Sequence, residues 1–239
     1  EAGLGVDAAV RAAPDLLDAR LAQARYLLAS GDADAAAAVL DGIADTAAGD
    51  DRFWEARGQL AMAQGNAEEA AAAYRRGMQA AEGATFGVRR FLLQGGLAEA
   101  LLAAGDTAGA RAEVATMLTT AERHPLPNYL MARVEYQDAD YGEALARAQA
   151  ELAARPDAVQ ALIIAGAAAL NLGQAAQAER YLADAVRVAP GSVPARQLLA
   201  QSRLGRGAPD EAMQALLPAF EAGAQDAALY ALLGQASLQ

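Results

Sequence analysis

The sequence predicts an all-α fold, a solenoid of repeated helix pairs, and three observations support this prediction. Alanines recur 34 residues apart, with one step of 40; they are Ala36, Ala70, Ala110, Ala144, Ala178 and Ala212. A glycine stands five residues before each of these alanines except Ala144, where that position is Ala139. The glycines are Gly31, Gly65, Gly105, Gly173 and Gly207. The eighth place of each repeat is always small: Ala24, Gly58, Ala98, Ala132, Gly166, Ala200 and Gly234. Since only 22 of the 239 residues are glycine, composition alone does not explain the glycine row.

Residues 159–192 show the repeat most clearly. Small and apolar residues at helical spacing mark one face of a first helix, Gly173 interrupts the chain, a second apolar face follows, and Pro190 closes the unit. A small residue where two helices cross lets their axes approach closely. This spacing resembles the tetratricopeptide (TPR) repeat, with smaller residues in the aromatic places. The resemblance implies a right-handed TPR superhelix.

The period fixes the expected boundaries of the array. We predict six complete repeats, at 17–50, 51–84, 91–124, 125–158, 159–192 and 193–226, with an insertion at 85–90. Residues 1–16 are expected to end a preceding repeat, and residues 227–239 to begin a further one. Natural terminal repeats carry polar caps, so we expect the chain to be a fragment of a longer array. The step of 40 predicts a longer or offset first helix in the third repeat, after a loop near 83–87.

Composition argues against several classes of function. The net charge is −11, the sequence contains no Lys, and its arginines form no cluster larger than a pair. Nucleic-acid binding needs a positive face and is therefore not expected. The chain has no Cys, which excludes disulfides, thiol catalysis and Cys-bound zinc. No apolar run approaches the roughly 18 residues of a membrane span.

No set of residues indicates catalysis. The one histidine, His124, precedes Pro125 at a junction between repeats and is interpreted as a turn residue rather than a general base or metal ligand. Acidic residues are scattered at helix starts and on solvated faces, without the clustering of oxygen ligands that calcium needs. The glycines are single turn residues, not a phosphate-binding loop. We therefore predict no enzymatic activity, no cofactor and no metal.

What remains is a protein-binding surface. In TPR arrays the first helix of each repeat lines a concave groove, and its second, fifth, ninth, twelfth and thirteenth places face inward. The candidate binding residues are Arg25, Gln59, Tyr129, Arg133, Tyr136, Gln137, Gln160, Ile163, Asn171 and Gln197. The groove of the fourth and fifth repeats is favoured because Tyr and Arg are enriched at binding hot spots. A carboxylate clamp for chaperone C-termini is not expected, since the chain lacks Lys.

Two alternatives to a binding role remain open at these places. Tyr129 and Tyr136 could instead fill gaps left by small neighbours. The twelfth place is apolar in every repeat, as inter-repeat core requires, although it could equally form an apolar groove floor. Its members are Leu28, Met62, Leu102, Tyr136, Leu170, Leu204 and Leu238.

A second, more particular resemblance covers residues 124–239. The phrases HPLPNY at 124–129, DYGEA at 140–144, LIIAGA at 162–167, QAERYL at 177–182 and ARQLLA at 195–200 follow one another in order. This succession resembles the TPR-repeat lipoproteins of the PEP-CTERM/exosortase system. The resemblance implies a bacterial scaffold in exopolysaccharide machinery, facing the periplasm and lipid-anchored by a segment upstream of Glu1. The alternatives are the periplasmic TPR region of a polysaccharide export channel, a TPR accessory domain of an enzyme such as a glycosyltransferase, or a cytoplasmic location.

Overall fold

The computed structural model describes residues 16–81, 87–224 and 226–238, and this part of the chain is all-helical, as predicted. The described residues form fourteen helices. They are α1 (Leu17–Ala29), α2 (Ala33–Asp41), α3 (Ala44–Ala47), α4 (Asp51–Ala63), α5 (Ala67–Ala80), α6 (Val88–Ala103), α7 (Thr107–Thr120), α8 (Pro125–Gln137), α9 (Tyr141–Ala154), α10 (Val159–Asn171), α11 (Ala175–Val188), α12 (Val193–Gly205), α13 (Pro209–Glu221) and α14 (Ala227–Ser237).

The helices belong to two compact units, Glu1–Glu122 and Arg123–Gln239. Within each unit a helix packs mainly against the next helix along the chain. The first helices of consecutive repeats also touch: α8 contacts α10, and α10 contacts α12. Such neighbour-to-neighbour packing is what a helical repeat array requires, because one helix pair cannot bury its apolar faces alone.

The turns between helices depend on a left-handed backbone conformation. Gly31, Gly65, Gly105, Gly173 and Gly207 all have φ between 73° and 82°, which glycine adopts without steric cost. At the fifth of the predicted repeats, the amide of Gln174 closes the turn on the carbonyl of Ala169 at 2.8 Å. Ala139, which replaces glycine in the fourth repeat, adopts the same conformation with φ of 63°. The turn geometry is therefore kept where the glycine is lost.

Two glycines in the row of small residues, Gly58 and Gly166, lie at close helix crossings. A Cβ atom placed on Gly166 would come within 2.5 Å of Leu182 Cγ, and one on Gly58 within 2.7 Å of the Tyr74 ring. Gly96 lies against the same ring, at 2.5 Å from an added Cβ. Burial of Tyr74 raises the pKa of its hydroxyl above the ordinary value, and Glu99 and Glu55 add to this effect. Large side chains of the second helices thus fill the space left by small residues on the first helices.

Two helices differ from the simple pattern. The second half of the first predicted repeat is divided, because α2 ends before Gly42 and the short α3 follows. Helix α6 begins at Val88, three residues before the predicted repeat start at Phe91, and has 16 residues where α4, α8, α10 and α12 have 13. The predicted preceding repeat at 1–16, except Leu16, lies outside the described residues. So do residues 82–86, which include most of the predicted loop near 83–87, and residues 225 and 239.

Candidate protein-binding groove

The second unit contains a groove formed by α8, α10 and α12, the first helices of three predicted repeats. Its volume is about 660 Å³. The lining residues are Tyr129, Arg133, Tyr136, Gln137, Gln160, Ile163, Ile164, Ala167, Ser192, Pro194 and Leu198. Six of the ten residues that the sequence predicts for binding line this one groove. They are Tyr129, Arg133, Tyr136, Gln137, Gln160 and Ile163.

The helical period explains why these side chains share a face. Tyr129, Arg133, Tyr136 and Gln137 are spaced by three or four residues, or adjoin such a position, and so form one stripe of α8. The neighbouring stripe of α8 carries Leu130 and Val134, both of them fully buried. Burial of the apolar stripe therefore turns the aromatic and polar stripe towards the groove.

Both tyrosines of α8 are hydrogen-bonded to α10. The Tyr129 hydroxyl lies 3.4 Å from Gln160 Oε1, within donating distance. Asn171 donates from Nδ2 to the Tyr136 hydroxyl at 3.1 Å and to the carbonyl of Ala167 at 3.0 Å. Tyr129 and Tyr136 also pack against the core of α8, α9 and α10. Each ring therefore has one side in the packing and another on the groove, so the packing of these tyrosines leaves part of each ring at the groove surface.

The groove carries one charged side chain, and it is positive. Arg133 is half-buried, and its guanidinium carbon lies 5.7 Å from the centre of the Tyr129 ring. Among the residues that the structure describes, no Asp or Glu lines the groove. Within the described residues, Arg133 has no carboxylate at ion-pair distance, whereas Arg147 and Arg203 of the same unit pair with Glu135 and Glu179. In a chain of net charge −11, the groove thus presents an unpaired cation beside an aromatic ring.

The predicted residues of the first unit have a different environment. Arg25 pairs with Glu55 at 3.1 Å, and Glu55 also pairs with Arg89 at 2.7 Å. Burial disfavours the charge of Arg89, but its hydrogen bonds to Asp51 and Glu55 outweigh this and raise its pKa. Gln59 is exposed on α4. The cations here are neutralised within the chain, so this surface offers a weaker electrostatic signal than the groove of the second unit.

The other two predicted residues of the second unit, Asn171 and Gln197, do not line the groove. Gln197 donates to Asp226 at 3.1 Å and is not among the groove-lining residues, and Asn171 reaches the groove only through Tyr136. Pro194 does line the groove. It holds the second place of its repeat, which is one of the inward-facing places, so the rule of inward-facing places also predicts it. Ile164 and Leu198 hold the sixth place, which is not among the inward-facing places predicted from the TPR pattern.

The residues at the apolar twelfth place differ in how deeply they are buried. Leu102 and Leu204 are buried, as inter-repeat core requires, whereas Leu238 is 90% exposed. The others are half-buried: Leu28, Met62, Tyr136 and Leu170. The row therefore joins core and surface, and Tyr136 is its contribution to the groove.

The histidine has a local structural role. His124 precedes α8, and its Nδ1 accepts a hydrogen bond from the amide of Leu126 at 3.2 Å. Among the described residues, no group of three or more His, Asp or Glu side chains could hold a metal ion. None of the described helices combines the length and apolar character that a membrane crossing requires.

The stacked helix pairs with left-handed glycine turns define a helical-repeat protein. A tetratricopeptide repeat model matches residues 21–85 and 129–193, and a second one matches residues 169–236. The two matches of the first model together cover more than half of the chain, which therefore belongs to the tetratricopeptide repeat family. Proteins of this family typically mediate protein–protein interaction. No curated protein matches the chain.

Solved structures of the same fold cover nearly the whole chain. A tetratricopeptide repeat protein from Parabacteroides merdae has a TM-score of 0.81 and 14% identity, over 97% of this chain and 90% of that one. The APC/C hetero-tetramer Cut9–Hcn1 gives 0.77 and 16%, over 98% of this chain, which spans 45% of the matched chain. NprR in complex with its cognate peptide NprX gives 0.67 and 17%, over 91% and 69%. At these identities, the likeness shows the fold alone.

Proposed function

We propose that this protein is a non-enzymatic scaffold that binds an extended segment of a partner protein in the groove of α8, α10 and α12. The observation that carries the proposal is the groove itself, about 660 Å³ lined by two tyrosines, an unpaired arginine and two glutamines. Tyrosine and arginine supply rigid area, stacking and planar hydrogen bonding, and are enriched at binding hot spots. The tetratricopeptide repeat family supports it, since binding proteins is what its members typically do. NprR was solved with a peptide, which makes a peptide a reasonable type of ligand for this fold.

The biological setting that we propose is the bacterial envelope. The support is the resemblance of residues 124–239 to TPR-repeat lipoproteins of the PEP-CTERM/exosortase system. In this setting the chain is a periplasm-facing scaffold for exopolysaccharide machinery, with a lipid anchor upstream. The full-length sequence tests it: a lipidated Cys after an export signal supports this setting. A channel-forming domain supports the export-channel alternative, a catalytic domain the enzyme-accessory alternative, and the absence of any export signal a cytoplasmic location.

Peptide display tests the binding function directly. Random 12-residue peptides are selected on the intact chain, and the affinities of the selected peptides are measured by fluorescence anisotropy. We expect Arg133→Ala and Tyr129→Ala each to weaken binding by about tenfold or more, as hot-spot truncations do. The control is Arg180→Ala, which removes an exposed arginine from α11, outside the groove. Equal affinity of the selected peptides for all three folded variants and the wild type would exclude this groove as the site.

A further inference from the structure

A second cavity lies beside the groove, in the same unit. Its volume is about 370 Å³, and it is enclosed by the start of α8, the second half of α9 and the start of α10. Its apolar lining includes Ala132, Ala148, Ala161 and Ile164. We name it the Ala148 pocket.

The pocket exists because one place of the repeat carries a small side chain instead of a large one. The residue equivalent to Ala148 is larger in each of the other five complete repeats, and always buried: Leu40, Tyr74, Val114, Leu182 and Leu216. There, for example, Leu182 fills the space beside Gly166. In the fourth repeat, Ala148 faces Ala132 with alanine on both sides, so the space stays open. At about 370 Å³ with a mostly apolar lining, the pocket has the size and character of a ligand site, so it is suited to receive a group from outside the chain.

The Ala148 pocket adjoins the groove. Tyr129, Gln160 and Ile164 line both of them. The charges at the rim of the pocket are already paired, since Arg147 bonds Glu135 at 2.7 Å and Arg155 bonds Glu151. The pocket therefore favours an uncharged, apolar group. The unpaired cation of the groove, Arg133, lies one helical turn from Tyr129.

We propose that the Ala148 pocket receives one large apolar side chain, Leu or Phe, of the partner segment, while a carboxylate of the same segment pairs with Arg133. This inference rests on the proposed function of the groove and specifies its ligand. Burial supplies the anchor, and Arg133 supplies charge complementarity in an otherwise acidic protein. An extended chain advances about 3.3 Å per residue, so two groups on either side of the Tyr129 ring are one to three residues apart in the segment.

A defined peptide array tests the two elements separately. Each peptide has twelve residues of Gly and Ser, with Phe or Ala at one central position and Asp, Asn or Lys one, two or three residues away on either side. Affinity for the intact chain is measured by fluorescence anisotropy. At the best spacing, we expect Phe to bind on the order of tenfold more tightly than Ala, and Asp more tightly than Asn or Lys.

Variants test whether the preference for Phe depends on Ala148 and the preference for Asp on Arg133. Ala148→Leu restores the side chain of the equivalent places in other repeats and should abolish the preference for Phe while the melting temperature is kept or raised. Ala148→Val is the smaller alternative and should reduce it. The control, Ala146→Leu, adds the same side chain to the exposed face of α9 and should leave the preference unchanged. Arg133→Gln should abolish the preference for Asp over Asn and keep that for Phe.

The outcomes separate this inference from the proposed function. If display-selected peptides bind in an Arg133-dependent way but Ala148→Leu leaves the Phe preference intact, the pocket assignment is wrong and the groove stands. If neither array peptides nor display-selected peptides bind, both proposals fail. Self-association in analytical ultracentrifugation that Ala148→Leu abolishes would make a second copy of the chain the occupant and overturn the partner segment.

Discussion

Gly166→Ala tests the close helix crossing of the fifth repeat by adding one methyl group. The new Cβ would lie 2.5 Å from Leu182 Cγ and 2.6 Å from its Cδ2. Normal carbon–carbon contacts need about 3.5–4.0 Å, so Leu182 must move by about 1 Å. Leu182 is fully buried, and its branch atom cannot be cleared by rotation of a flexible end.

The expected magnitude follows from two opposing terms. Replacing a helical glycine by alanine stabilises by about 0.8–1.0 kcal/mol through backbone propensity. Overpacking a close-packed site costs about 1–3 kcal/mol. The overpacking term exceeds the propensity term over most of this range, so we expect Gly166→Ala to lower the free energy of unfolding by about 1 kcal/mol.

Gly234→Ala is the matched control. Gly234 holds the same eighth place, in α14, and an added Cβ meets nothing within 4 Å. Here only the propensity term applies, so the urea midpoint should stay unchanged or rise. Midpoints are measured by circular dichroism at equal protein concentration. A rise for Gly166→Ala matching that of Gly234→Ala would show that Leu182 yields without cost and would refute the close-crossing argument.

A double-mutant cycle checks that Leu182 causes the loss. Leu182→Ala alone should cost about 2–5 kcal/mol through the cavity that it leaves. In the double variant the methyl group added by Gly166→Ala no longer meets the leucine and instead occupies part of that cavity. The combined cost should therefore fall below the sum of the single costs by about 1 kcal/mol or more. Strict additivity would place the effect of Gly166→Ala elsewhere.

Three further predictions concern stability. Ala139→Gly should raise the free energy of unfolding, measured in urea, by about 0.5–1 kcal/mol. Relief of the left-handed alanine gains about 1–2 kcal/mol, and the greater freedom of the unfolded chain costs about 0.4–1 kcal/mol. A lower free energy of unfolding would contradict the strain at this turn. Hydrogen bonds from Arg52 lower the pKa of Asp50. The stability that the ionised Asp50 adds to the folded state is therefore present above about pH 4 and lost as the pH falls through the lowered pKa. Asp50→Asn keeps the helix cap, so its deficit of about 1 kcal/mol or less at pH 7 should vanish in acid; a deficit that persists there is not ionic. Ala178→Leu should cost about 1–3 kcal/mol and Ala175→Leu little, since only Ala178 is fully buried; equal midpoint shifts would show that the register is misassigned.

The sequence predicted the repeat fold well because the period is imposed by local geometry. A left-handed turn needs glycine, and a close crossing needs a small residue, so both leave a mark at a fixed place in every repeat. Ala139 shows the limit of this reasoning. The repeat pattern marks it as an exception, whereas its φ of 63° shows that the flanking helices impose the turn even on an alanine.

The groove could be predicted in part because inward places follow from the helical period. Tyr129, Arg133 and Tyr136 of α8 were found in this way, and so were Gln160 and Ile163 of α10. On α12 the predicted residue, Gln197, does not line the groove, whereas Leu198 at the sixth place does, because which places of α12 line a groove depends on how far that helix is offset from α10. The divided second half of the first repeat was not predicted, although Gly42 lies at the point where α2 ends.

Small residues at the fixed places of the repeat have two different structural meanings, and only the packing separates them. Gly166 is small because Leu182 occupies the space that its side chain would need. Ala148 is also small and buried, yet the side chains opposite it, Ala132 and Ala161 among them, are small too. A single position cannot show this, because the open space is set by three helices at once. A small residue at a place that is large in the other repeats is therefore a sign of a ligand only when its neighbours have not grown to compensate, and the fourth repeat meets that condition beside the groove that carries Arg133.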